Sequence, residues 1–516
     1  MRNRLPLWLL GFALCVMLGY WLAGTARIDP PRPASSAEGG TKQTIRAIDD
    51  PPPVFRRHPR GGRAKMDAEA LAAGALDGER VIAFKDREAM RRFLDRMGDR
   101  VRLLGRLDAL NALRVGFSDP ADLTELLDGE GEMSMIFPVT TPPLPEGSVQ
   151  PGAQGLFAGL LEWLGISGDN SAFGKGVKIA VLDTGVASHS AFQTLIRNIN
   201  LVDMPGDPAA LNGHGTAVAS MIIGNGNFTP GVAPGAEIIS VRVADDLGMS
   251  DSFLLAQGII SAVDAGAKLV NISMGSLGQS ALLEQAIAYA SERGALIFAA
   301  AGNNGIDQVY YPAAYDSVIA VGAVDAAGNH LAFSNTGSQI DISAPGYAIN
   351  AAWPGDQAAR VSGTSFSTPI VVGAMAAVMT EAGAGNLTPA QAWQLVSAYL
   401  NDAGSAGQDV LYGAGMPDIG RVLAAKTTGI FDAAVASQSY LPPDPGHPYG
   451  QVEVLVQNRG TETLVNTAVQ VSSGGHAGNF NITTLAPNAV TTVRVPVTRP
   501  LADGIEVDAR VSISGG

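Results

Sequence analysis

Between Val177 and Leu400 the chain alternates short, largely uninterrupted apolar runs with longer segments whose apolar positions recur at helical spacing. Val177 to Leu182, Ile238 to Val243, Lys268 to Ser273, Ala295 to Ala300 and Val318 to Val324 lack a two-residue polar alternation. That is the pattern of strands covered on both faces. Ser252 to Ala265, Ala281 to Arg293 and Pro389 to Leu400 read as helices lying between and beyond them. Strand and helix in alternation need crossover connections, so the pattern predicts a three-layer α/β/α domain around a parallel central sheet. Loop tips at the carboxyl ends of the strands then meet along one rim, where a crevice opens.

The pattern changes on either side. Upstream, strand (Val81 to Phe84), helix (Arg87 to Met97), two strands (Val101 to Leu107, Leu110 to Phe117), helix (Pro120 to Leu127) and strand (Glu132 to Pro138) predict a small ferredoxin-like α+β domain within residues 67–145. Downstream of Ala425, Val452 to Val456, Thr467 to Val471, Val490 to Val497 and Ile505 to Ile513 alternate with period two. They predict a small Ig-like β-sandwich over 446–516, after a linker at Leu441-Pro442-Pro443-Asp444-Pro445-Gly446. It would serve as a packing module or as a binding module for glycan, cell surface or protein. At the start, Arg2 and Arg4 precede an apolar run from Leu5 to Gly24 and the small residues Gly24-Thr25-Ala26. Residues 1–26 therefore read as an export signal cut after Ala26 or as a membrane anchor, which places the chain outside the cytoplasm. Residues 27–66, rich in Pro, Arg, Gly and Ser, read as a disordered linker.

Composition narrows the function classes. With 516 residues, 46% hydrophobic and 16% charged, the chain can bury large cores and is not a disordered sequence. A formal charge of -14 argues against a nucleic-acid partner. Cys15 is the single cysteine, so no disulfide can form within the chain and packing must hold it together.

The candidate chemistry sits in four short segments. Ser365 opens a predicted helix, Ser365 to Met379, in Gly363-Thr364-Ser365-Phe366-Ser367-Thr368-Pro369. A serine hydroxyl attacks carbonyl carbon only if an imidazole takes its proton and a carboxylate orients that imidazole. His214, in Asn212-Gly213-His214-Gly215-Thr216 before the apolar helix Ala217 to Ile223, is the candidate base. Asp183, at the end of the first strand and before Thr184-Gly185, is the candidate orienter. Asn303, in Ala301-Gly302-Asn303-Asn304-Gly305 after a strand, can donate its amide to an oxyanion, together with the Ser365 backbone N–H. Taken singly, each segment reads as a turn or a helix cap. His58, His189, His330, His447 and His476 have no glycine-rich frame and read as surface or loop residues.

The order Asp183, His214, Asn303, Ser365 resembles the subtilisin-like serine peptidases over residues 151–425. It does not fit an α/β-hydrolase, which would run Ser, Asp, His. The resemblance implies a serine endopeptidase acting on polypeptides through an acyl-enzyme, and a catalytically silent peptide-binding protein is the alternative on the same fold. It implies that Ser273, Met274 and Gly275 form one wall of the substrate cleft, Ala300, Ala301 and Gly302 the other, and Leu247, Gly248 and Met249 the outer rim. Such small walls would admit a bulky apolar side chain, although Tyr310 and Tyr311 can narrow the same space. Residues 67–145 would be a pro-domain, an intramolecular inhibitor removed by cleavage within Val139 to Gln150. The chain departs from many members at Ala217 and Ile370, where histidines are common. Its segment Gly224 to Pro234 is shorter than the calcium-holding loop of secreted relatives, which argues against a tightly bound calcium at that site and leaves a structural calcium elsewhere open; the chemistry itself calls for no cofactor.

Overall fold

The protein is described from a computed structural model at residues 68–141, 151–202, 212–226, 228–382, 386–473, 476–498 and 507–513. The apolar N-terminal run, the linker and 142–150, with most of the expected cleavage region, lie outside these residues. Among the described residues no helix is long and apolar enough to cross a membrane.

The first module follows the sequence pattern closely: β1 (Glu79–Phe84), α1 (Arg87–Arg96), β2 (Val101–Leu107), β3 (Ala112–Phe117), α2 (Pro120–Leu127) and β4 (Gly131–Ser134). Its strands form an antiparallel sheet in the order β2-β3-β1-β4. Asp86 and Asp119 start the helices by accepting from the Ala89 and Ala121 amides. Phe93 and Leu123 on the helices bury against Ile82 and Leu113 on the sheet. The chain then leaves as a short extended strand, β5 (Pro138–Thr140).

The central module contains α3 (Leu160–Trp163), β6 (Lys178–Asp183), β7 (Ile196–Asn200), α4 (His214–Ile223), β8 (Glu237–Arg242), β9 (Met249–Asp251), α5 (Ser252–Asp264), β10 (Leu269–Ile272), α6 (Ala281–Glu292), β11 (Leu296–Ala300), β12 (Val318–Val324), β13 (Ile340–Pro345), β14 (Ile349–Trp353), β15 (Gln357–Val361), α7 (Thr364–Glu381), α8 (Pro389–Ala398) and α9 (Ile419–Ala424). Seven strands form a parallel sheet, β13-β12-β11-β10-β6-β8-β7. Val181, Val218 and Phe366 belong to the apolar layer on one face, which carries α4 and α7. Leu182, Ile259 and Ile287 belong to the layer on the other, which carries α5 and α6. This is the expected α/β/α architecture. From β6 the chain builds outward through β8, then crosses back to place β10 on the opposite side of β6. That reversal opens a crevice at the carboxyl ends of β6 and β10. Residues 364 to 379 of α7 are all buried, which explains a helix apolar on every side.

After α9 come β16 (Ala433–Leu441), β17 (Gln451–Asn458), β18 (Leu464–Ser473), β19 (His476–Leu485), β20 (Val490–Pro496) and β21 (Val507–Ser512). They form two three-stranded antiparallel sheets, β16-β17-β20 and β19-β18-β21, around Val454, Val456, Val469 and Val493. β16 precedes the expected linker, so the sandwich begins earlier than the sequence pattern placed it. Arg421 fastens the sandwich to the central module. Its guanidinium donates to the Tyr399 and Leu400 carbonyls, to Asn401 Oδ1, and across to the Arg459 carbonyl and Asn488 Oδ1.

Asp341 on β13 carries a test of this packing. Burial pushes its carboxyl up to about 6, although it accepts from the Ala320 amide at 2.8 Å. A folded pKa above the unfolded one gives stability that is complete below the unfolded value, near 3.8, and is lost as pH rises through about 6. The Asp341→Asn variant should therefore match the parent near pH 3.5 and become the more stable protein, by at most about 3 kcal/mol, by pH 7. Thermal unfolding of both proteins across this range measures the difference. A constant difference would show that burial does not govern this group.

Candidate active site

Asp183 closes β6 beside the crevice and is fully buried. An ionised carboxylate so placed is costly unless its lone pairs are used. Oδ1 accepts from the Thr184 amide at 2.8 Å and from Thr184 Oγ1 at 3.2 Å. His214 Nδ1 lies 2.8 Å from Oδ1 and 3.0 Å from Oδ2. A carboxylate has no proton to give, so Nδ1 carries the proton and Nε2 is left as a bare acceptor. Nε2 is buried and has no hydrogen-bond partner among the described residues.

The local sequence explains how His214 comes so close. His214 is the first residue of α4, and its amide donates to Asn212 Oδ1 at 3.0 Å. Gly215 packs flat on the turn after β6, where a Cβ would lie 2.3 Å from the Gly185 carbonyl oxygen and 3.1 Å from Asp183 Cβ. Gly213 packs equally tightly against the Trp353 ring. The imidazole centroid is 5.3 Å from the ring of Phe366, the residue after Ser365.

Ser365 is the second residue of α7, within the first turn, where amides have no acceptor in their own helix. Its hydroxyl donates to the Ser273 carbonyl at 3.2 Å, while its own carbonyl accepts from Ser273 Oγ at 2.7 Å. Asn271 Nδ2 holds Ser273 Oγ in turn, at 3.0 Å. The hydroxyl is thus directed to the cleft wall, and a hydrogen bond to His214 Nε2 is not formed in this arrangement.

Asn303 lies on the other side of Ser365. Its Oδ1 accepts from the Thr364 amide at 2.9 Å and from Thr364 Oγ1 at 2.8 Å. With the oxygen engaged, the nitrogen is the free donor end, and it lies over Gly363, where a Cβ would be 2.7 Å away. Gly363 has φ 137°, open only to glycine, which permits that approach. Thr364 and Asn335 were not recognised in the sequence. Thr364 positions Asn303, and Asn335 holds the loop by accepting from the Asn304 amide and donating to the Ala301 carbonyl. Thr364 lies inside the Ser365 segment with no role legible there, Asn335 lies in no motif, and only the fold shows their use.

Of the nine residues expected to form the cleft, Gly275 stands on one side of a channel and Gly248 and Met249 on the other. Met274 turns its side chain into the core, so that wall presents backbone at Gly275; Ala300 and Ala301 are buried and lead to Gly302. Leu247 and Met249 are exposed, with Gly248 between them. The channel holds the chain's own β5. Pro138 pairs with Asp251, Val139 with Ser250 and Thr140 with Met249, antiparallel. On the opposite side Thr140 and Gly275 exchange amide-carbonyl bonds at 3.2 and 3.0 Å, while on the β9 side the Thr141 amide donates to the Gly248 carbonyl at 3.0 Å. The segment is therefore an added strand between two walls, one of which ends at the Ser365 partner Ser273. Arg114 on β3 reinforces the junction by an ion pair of 2.7 Å to Asp251, which caps α5. Among the described residues no group of three or more His, Cys, Asp or Glu side chains is placed to hold a metal ion.

A family model described as the subtilase family matches residues 174–415. Subtilisin Savinase of Lederbergia lenta is 40% identical over 248 residues, 47% of this chain and 89% of that protein. An alkaline protease of Alkalihalobacillus alcalophilus is also 40% identical over 248 residues, but the match spans only 63% of its length. Thermitase of Thermoactinomyces vulgaris is 39% identical over 207 residues, covering 39% of this chain and 74% of thermitase. Among solved structures, the prenylagaramide maturation protease PagA is 30% identical, with a TM-score of 0.45, over 51% of this chain and 97% of that one.

The close approach at Gly215 can be tested directly. The Gly215→Ala variant must move α4 away from the β6 turn, drawing the imidazole off Asp183. We expect phosphonylation of Ser365 by a small fluorophosphonate to slow roughly 100-fold, while circular dichroism stays that of a folded protein. Unchanged reactivity would show that the spacing between Gly215 and Gly185 does not set the His214 position.

Proposed function

The chain belongs to the subtilase family of serine peptidases, and from that premise we propose that it is an exported zymogen whose nucleophile, base and orienter are Ser365, His214 and Asp183. It is a subtilisin-like serine endopeptidase and acts on polypeptides. The observation that carries the assignment of roles is the buried Asp183–His214 hydrogen bond, which leaves His214 Nε2 bare beside the first turn of α7.

In the proposed reaction the Ser365 hydroxyl swings from the Ser273 carbonyl to His214 Nε2. Nε2 takes the proton as Oγ bonds to the scissile carbonyl carbon, and Asp183 stabilises the imidazolium without itself being protonated. The oxyanion accepts from Asn303 Nδ2 and the Ser365 amide, a pair of donors in which losing one costs roughly 100- to 1000-fold in turnover. As the C–N bond breaks, the imidazolium gives its proton to the leaving amine, forming the acyl-enzyme. Water then repeats the sequence, losing a proton to Nε2 and releasing the carboxylic product and free Ser365.

The inhibitory role we give residues 67–145 is supported by β5 in the cleft, with Arg114 and Asp251 tying the module above it. An occupant already paired to both walls must leave before substrate can enter. Cleavage within 139–150 would weaken its hold by turning an intramolecular contact into a bimolecular one. Export follows from the N-terminal apolar run, which leaves the enzyme secreted, periplasmic or tethered. No cofactor is assigned, since the steps above use only these side chains. The C-terminal sandwich, joined through Arg421, is read as a packing module.

Labelling tests the whole reading. Purified full chain should react with a fluorophosphonate at Ser365, and reaction should quicken about tenfold or more once the 142–150 segment is cut and the first module removed. The Ser365→Ala variant should take up no label and keep the first module attached if processing is its own work. A cut, folded protein that is not labelled at Ser365 would overturn the assignment.

A further inference from the structure

The two cleft walls face each other through glycines, Gly275 and Gly302, which should leave a slot for the substrate side chain that precedes the scissile bond. The slot is not empty. A Cβ on Gly275 would lie 3.0 Å from Tyr310 Cβ and 3.4 Å from its Cδ2, and a Cβ on Gly302 would lie 3.2 Å from Tyr310 Cγ. The Tyr310 side chain therefore stands against the bare face of both glycines at once. Its backbone is fixed to the same two walls: the Tyr310 amide donates to the Ala301 carbonyl at 3.0 Å, and Tyr311 exchanges bonds with Ser276 at 2.8 and 2.9 Å. At the far end the phenol donates to Asn304 Oδ1 at 2.7 Å, and Asn304 adjoins the oxyanion donor Asn303. The ring is thus anchored at both ends, from the rear of the slot to the Asn303 turn. Asn335 closes the remaining side, with Nδ2 so near Gly302 that a Cβ there would lie 2.3 Å from it.

We propose that Tyr310 is the specificity-determining residue of the cleft, filling the slot between Gly275 and Gly302 so that the enzyme cuts after small residues, alanine, glycine or serine, rather than after bulky apolar ones. This rests on the peptidase reading above. It reverses the expectation drawn from the small walls alone. A substrate phenyl ring would have to occupy the volume the Tyr310 ring holds, either losing its own burial or breaking the Asn304 hydrogen bond to displace it. A methyl side chain needs neither. Sequence places the residue beside the pocket, but the direction of its side chain comes only from the fold.

The test compares two peptide anilides identical except for alanine or phenylalanine before the scissile bond, on the purified full chain, with fluorophosphonate labelling in parallel. The ratio of the two kcat/KM values cancels the fraction of molecules still blocked by their own first module. The parent should favour alanine by about tenfold or more. The Tyr310→Gly variant should lower the ratio at least about tenfold by gaining activity on phenylalanine, and Tyr310→Phe, which loses only the tether to Asn304, should fall between. A parent ratio near one, or favouring phenylalanine, would overturn the proposal whether or not the variants fold. So would a folded Tyr310→Gly with an unchanged ratio. If Ser365 is labelled and the ratio favours phenylalanine, only the filled slot is wrong. If neither substrate is cut and Ser365 takes no label, the peptidase roles fail and this inference fails with them.

Discussion

A carboxylate with no exposure to water is tolerable only where donors surround it, and the Asp183 position satisfies that condition with little freedom left over. Thr184 supplies two bonds and the imidazole of His214 supplies the rest. For this to work, β6 must end beside β10 at the switch in strand order, and α4 must begin at His214 itself. Both features are set by local residues: apolar runs that bury β6 on two sides, and glycines at 213 and 215 that let the helix start lie flat. The same bond decides which imidazole nitrogen is bare, so structure and chemistry share one constraint.

Helix α7 brings the second half of the site. Buried on every side, it offers almost no polar surface except at its start, where Thr364 and Ser365 face the cleft. There Thr364 donates twice to Asn303 Oδ1, and Ser365 and Ser273 exchange a pair of bonds. The Ser365 hydroxyl is thereby held against the Ser273 carbonyl while β5 lies between the two walls.

Much of this was legible in the sequence because it is written in local patterns. Unbroken apolar runs marked β8, β10, β11 and β12 to within a residue or two, and Asp183, His214, Asn303 and Ser365 each sat in a glycine-framed turn. Strands that face water escaped. β7, with Arg197 and Asn198 exposed, and β16, whose residues are only half-buried, carry no strong periodic signal. Residues defined by a distant partner escaped too: Thr364 and Asn335 act on the Asn303 turn, some 61 and 31 positions away along the chain. Register between β5 and β9 depends on the packing of one module on another, through Arg114 and Asp251, which no window of sequence contains.

The most direct measurement is 15N NMR of the full chain carrying ring-labelled histidine at neutral pH, with the His214 signals identified by their loss in His214→Gln. The expected result is a protonated Nδ1 and a bare Nε2, with that tautomer lost when Asp183 is replaced by Ala. A His214 ring protonated at Nε2 alone, or a tautomer unchanged by removing the carboxylate, would contradict the account.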